Sequence, residues 1–126
     1  MKFKRLGFFS ASLMLGLAGV LFLGNSCKHD GIPADQVAQV SFSRVLPIFQ
    51  NYCGTTGCHD GNGGESNYVF IDYPSIMQSI TPGNADKSKA YQAMTSTFKI
   101  MPPNIALPTS KRTLIRLWIE QGAKPE

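Results

Sequence analysis

The sequence predicts a small all-α domain preceded by an export segment. Two stretches place apolar residues at helical spacing: Phe42, Val45, Leu46, Phe49 and Tyr52, then Leu114, Ile115, Leu117, Trp118 and Ile119. Strand-like alternation is confined to Tyr68-Val69-Phe70-Ile71. A chain of 126 residues has room for one domain, and its first fifth does not read as part of that domain.

In that first fifth, Lys2, Lys4 and Arg5 precede an apolar run from Leu6 to Leu23, closed by Gly24-Asn25-Ser26-Cys27. Positive charge, then an apolar core, then small residues is the order of an export signal, here residues 1–26. Cys27 stands where bacterial lipoprotein precursors carry the cysteine that is lipidated and becomes the mature N-terminus. Gly24 occupies the position where leucine is usual. The competing reading keeps the run in the membrane as a signal anchor, since about 18 apolar residues just span a bilayer. Both readings leave the rest of the chain on the outer side of the cytoplasmic membrane, because the basic end stays inside. Lys28 rather than Asp follows the cysteine, which by analogy with enteric bacteria favours the outer membrane.

Of the twelve basic residues, three belong to the signal, so the remainder from Cys27 holds nine against eight acidic ones. A near-neutral domain without a Lys/Arg run interleaved with aromatics gives no reason to expect nucleic acid as a partner. The expected partners are redox proteins and, through the anchor, a membrane.

Residues 27–40 are polar and small, with Gly31 and Pro33 as breakers, and read as a tether; the domain proper is expected over 41–126. Its first helix should run into Cys53, capped at Ser41 or Ser43 and kinked at, or starting near, Pro47. Asp60 to Glu65 is a loop, with three glycines in four positions. A short capped helix is expected over Asp72–Ile80 with Pro74 in its first turn, and another over Asp86–Thr95 with Tyr91 and Met94 on one side. Ile100 to Pro103 should be extended. Thr109 or Ser110 should cap the last helix, and Gly122 should stop it.

The chemistry is concentrated in Cys53-Gly54-Thr55-Thr56-Gly57-Cys58-His59. Covalent haem attachment needs two thiols to add to two vinyl groups and a histidine beside the second thiol to ligate iron. Zinc would need more ligands, and adjacent Cys58 and His59 do not readily aim at one tetrahedral metal. A Cys53–Cys58 disulfide would close a short loop, worth about 2 kcal/mol on the chain-entropy model, but leaves His59 without a role. A motif retained in a domain that no longer binds haem is a further alternative. A porphyrin would also enlarge a modest core, because Phe3, Phe8, Phe9 and Phe22 leave with the signal.

The chain resembles small single-haem cytochrome c domains. The resemblance is carried by Leu46-Pro47-Ile48-Phe49, Cys53 to Asp60, Pro82-Gly83-Asn84 with Ser88, Met101-Pro102-Pro103, and Trp118-Ile119 followed by Gly122-Ala123, and it spans roughly Ser41 to Lys124. It departs in having four residues between the cysteines instead of two, a spacing for which Gly54 and Gly57 would supply backbone freedom. The resemblance implies an all-α cytochrome c-like fold with one covalent haem c per chain, held by Cys53, Cys58 and His59, and the first and last helices crossing near one haem edge.

Met101 is assigned as the second axial ligand, since a thioether opposite His59 raises the potential and the following prolines favour a loop across the haem face. Met94 and Met77 compete from helices where a core role accounts for them, and His29 competes from the tether. The implied function is electron transfer, with no catalytic residues: there is no nucleophile with its base, no carboxylate pair and no second haem motif. The rivals are a haem-free structural lipoprotein with a Cys53–Cys58 bridge and an electron-entry subunit of a larger oxidoreductase.

Overall fold

The computed structural model describes residues 33–62 and 67–126. The export signal, Cys27, His29 and the start of the tether lie outside the described residues. After a single 3₁₀ turn, Ala34–Gln36, come four helices: α1 Phe42–Tyr52, α2 Tyr73–Met77, α3 Lys89–Thr95 and α4 Thr109–Glu120. Among the described residues there is no strand, and no helix is long and apolar enough to cross a membrane. The fold is all-α.

Helix α1 begins at Phe42, five residues before Pro47, so the proline lies inside the helix rather than opening it. Its missing N–H would have been paired with the Ser43 carbonyl. Ser43 and Pro47 are both exposed, so the proline falls on the solvent side of the helix, where a missing backbone hydrogen bond costs least. The buried face, Phe42, Val45, Ile48 and Phe49, packs on Ile115, Trp118 and Ile119 of α4. Trp118 meets Phe42 at 5.6 Å and Phe49 at 6.4 Å between ring centroids, so the first and last helices pack together through these rings.

Asp72 caps α2: its carboxylate accepts from Ser75 N at 2.9 Å while the Ser75 hydroxyl interacts with the Asp72 backbone. This reciprocal arrangement satisfies donors that a helix start leaves unpaired. The helix ends at Met77, short of Ile80, and gives way to turns.

Helix α3 begins at Lys89 instead of Asp86, because Ser88 is turned inward. Its fully buried hydroxyl accepts from Thr81 N and donates to Asn84 O, both at 2.9 Å. Gly83, at φ +77, donates from its N–H to Ile119 O at 2.7 Å, tying this loop to α4. These contacts give Pro82-Gly83-Asn84 and Ser88 a common structural purpose.

Pro108, not Thr109 or Ser110, occupies the cap position of α4, where no side chain caps the helix. Gly122, at φ +100, ends it, and Ala123 N reaches back to Trp118 O at 2.8 Å. Just before that turn, Gln121 accepts from Val40 N at 2.8 Å and donates to Ala34 O at 3.0 Å. The segment entering α1 is therefore fastened to the end of α4, and Val40 is buried.

Candidate functional site

Helix α1 delivers Cys53 as its C-terminal cap. Cys53 N and Gly54 N both donate to Phe49 O at 2.8 Å. The chain then folds back: Cys58 N donates to Thr55 O at 2.9 Å and His59 N to Cys53 O at 3.1 Å. Cys53, Cys58 and His59 thus belong to one closed loop, and both thiols are free.

Its two glycines serve different ends. Gly57 has φ +79, a conformation that L side chains rarely adopt, and open space lies beyond its Cα. Gly54 is required by close approach instead, since a Cβ there would lie 2.6 Å from Phe70 O.

Phe70 belongs to a strip, residues 67–71, that fixes His59. Phe70 N donates to His59 O at 3.0 Å, and His59 Nδ1 lies 2.8 Å from Tyr68 O. A carbonyl oxygen only accepts, so Nδ1 is the donor, and the neutral form of the ring held this way has its lone pair at Nε2. The imidazole packs edge-on to Phe70 at 4.8 Å, Phe70 stacks on Phe49 at 5.4 Å, and Phe49 meets Trp118. A chain of aromatic contacts therefore runs from the candidate ligand to the core. The strip is the one short strand-like candidate, Tyr68–Ile71; among the described residues it forms no strand, as the all-α reading expects, and docks on the loop instead. Tyr68 and Phe70 are the site residues that the sequence reading did not single out, and that alternation was their only signal.

The thiols differ sharply in environment. Cys53 is 8% exposed and belongs to the core, and its pKa is pushed up to about 11 by burial and, secondarily, by Cys58. Cys58 is exposed. Beside the loop, the Asn62 backbone N–H holds the Asp60 carboxyl below its ordinary range. Among the described residues no three His, Cys, Asp or Glu side chains are grouped to hold a metal ion, which gives the zinc alternative no support.

Met101 lies on a separate loop between α3 and α4, half-buried, with its N–H donating to Ala93 O at 2.9 Å. The plain extended run expected over Ile100–Pro103 is corrected: Met101 and Pro102 lie in bends and Pro103 enters a turn. Phe98 and Ile105, on either side, are exposed. Met94 is buried on α3 and Met77 packs half-buried against the core, so the core role accounts for both.

Residues 56–104 match the family model described as PSCyt1, Planctomycete cytochrome C. The match supports a cytochrome c-like domain. It takes in Cys58, His59, the Ser88 loop and Met101-Pro102-Pro103, begins after Cys53, and covers less than half of the chain. No curated protein and no solved structure matches the chain.

Proposed function

We propose that this chain is a mono-haem c-type cytochrome that carries electrons outside the cytoplasm, exported by residues 1–26 and held at a membrane through lipid on Cys27. The observation that carries the reading is His59: beside Cys58, its Nδ1 is committed to Tyr68 O and its Nε2 lone pair is left for iron. The chemistry of the donor set fits the group, with two free thiols and an imidazole on one loop, a thioether on another, and exposed apolar Phe98 and Ile105 on the chain to either side of Met101. The family match supports a haem-containing class of protein.

In this reading Cys53 and Cys58 form the thioether links and His59 is the first axial ligand. Met101 is the second, in preference to Met94 and Met77, whose packing already occupies them. Haem iron so held supplies a one-electron couple, raised in potential by a thioether ligand. The Tyr68 carbonyl fixes the imidazole's orientation and increases its basicity. Phe70 and Phe49 hold the ring against the core, limiting the rearrangement that accompanies a change of charge at the ligand. Contacts with redox partner proteins would be small and transient.

The experiment is intact mass of the mature chain made with a working maturation system. The expected mass is that of the chain cut before Cys27, plus lipid, plus one haem that acid-acetone does not extract. A Cys53–Cys58 disulfide without added haem would defeat the cytochrome reading. A mature N-terminus elsewhere, without lipid, would defeat the anchor.

A further inference from the structure

We propose that Gln121 limits how far the anchored domain travels from its membrane, and that its redox partner is one bound to the same membrane. The inference rests on the anchored electron-carrier reading above and deepens it.

The segment entering α1 is held chiefly by one side chain. Residues 34–36 bury nothing, and a cavity of about 400 Å³ lies between Ala34, Asp35 and Val37 on one side and Glu120, Gln121 and Lys124 on the other. Apolar packing therefore does little to fix this segment. Gln121 does: its Nε2 donates to Ala34 O at 3.0 Å, Val37 O at 3.2 Å and Ala38 O at 3.3 Å, while its Oε1 accepts from Val40 N at 2.8 Å. An amide in this orientation serves acceptors and a donor together, which no carboxylate can do. Val40 is buried in the core, so it stays in place when the residues before it are released.

The limit on travel follows from chain length. At the full extension of a polypeptide, the chain from Cys27 to Ala34 spans at most about 25 Å, and from Cys27 to Val40 about 45 Å. Holding Ala34 thus removes about 20 Å of reach. A partner diffusing in solution meets the domain as often with or without that restriction. One fixed to the same membrane meets it at a higher effective concentration, because that concentration falls as the connecting chain lengthens beyond the span required.

The test uses the lipidated holoprotein in phospholipid vesicles as parent, Gln121→Ala and Gln121→Glu. Gln121→Glu keeps the acceptor for Val40 N and turns a carboxylate toward the three carbonyl oxygens. Digestion by a protease of broad specificity, with fragment masses locating the cuts, should cleave within residues 34–38 about tenfold faster in both variants than in the parent, as local opening becomes easier. The second measurement is electron exchange, in which the reduced haem gives one electron to a ferrocenium carried on a lipid headgroup in the same vesicle. The parent should be about two- to threefold faster than Gln121→Ala, while soluble ferricyanide should oxidise both at one rate. Equal cleavage of residues 34–38 in parent and variants would overturn the clamp. An unchanged rate with the lipid-borne probe, despite faster cleavage, would overturn the limit on reach. A parent that carries no haem, or that does not stay on the vesicles, would instead overturn the anchored-carrier reading and this proposal with it.

Discussion

The two loops that carry the proposed axial ligands are supported very differently. His59 is fixed by a ring hydrogen bond to Tyr68 O, by backbone bonds on both sides, and by Phe70 stacked on Phe49. Met101 has a backbone bond to Ala93 O, and its flanking apolar residues Phe98 and Ile105 face outward. The protein thus orients the imidazole before any ligand arrives, whereas Met101 would gain much of its packing from the porphyrin. On this comparison, damage near His59 should cost stability in the chain itself, and damage near Met101 should show chiefly in the spectrum.

The largest effect is expected at Phe70. It is buried between His59 and Phe49, so Phe70→Ala should destabilise the domain by about 3–5 kcal/mol, the usual range for a buried aromatic truncation. Denaturant unfolding of the holoprotein measures this, and a loss below about 1 kcal/mol, typical of surface sites, would break the comparison on its strong side.

Gly54→Ala should follow, since its Cβ would be 2.6 Å from Phe70 O and either α1 or the strip must move. A cost of about 1–3 kcal/mol is the normal scale for overpacking. Gly57→Ala separates two kinds of requirement: it meets no atoms but must hold φ +79, so its cost should reflect the backbone alone. Thermal unfolding of the two variants side by side decides whether close approach or conformation matters more in the loop.

Met101→Ala should change stability less than either and remove the weak near-infrared charge-transfer band of methionine-ligated ferric haem. Met94→Ala should do the reverse, destabilising by about 2–5 kcal/mol as a buried methionine truncation while leaving the band in place. Loss of the band in the Met94 variant alone, or its absence from the parent, would move the assignment away from Met101.

The helical class was legible because Phe42, Val45, Phe49, Ile115, Trp118 and Ile119 are spaced for one buried face each, and burial follows that spacing; the pairing of the two helices came from the family resemblance, not from the spacing. Cys53, Cys58 and His59 were legible because the loop joining them is local. The support of His59 was not. It comes from the chain beyond the glycine-rich segment, and four alternating residues do not reveal whether they enter a sheet or dock on a loop. The late start of α3 was hidden for a similar reason: the inward turn of Ser88 depends on Thr81 N and Asn84 O, partners that helical periodicity does not register. Of the two readings left open at Pro47, a helix running through it or one starting near it, the first holds, and the proline lies on an exposed face.

The smallest effect belongs to Asp72, which caps α2 directly after the strip that holds His59. Its carboxyl lies below the ordinary range because the Ser75 side chain and then the Ser75 backbone N–H bond the charged form. A carboxyl with a lower pKa in the folded than in the unfolded chain adds stability above the unfolded value, and that stability is lost as pH falls through the folded one. The acid side of the stability curve should therefore be shallower in Asp72→Asn than in the parent, the two curves converging as pH drops below the ordinary carboxyl value. The group is fully exposed, so the difference should be slight and should shrink in high salt only to the extent that it is electrostatic. Thermal midpoints between pH 3 and 7 measure it. If the parent and Asp72→Asn curves stay parallel to the lowest pH, the Asp72 charge does not contribute to holding the end of the strip, and the support of His59 rests on Tyr68 and Phe70 alone.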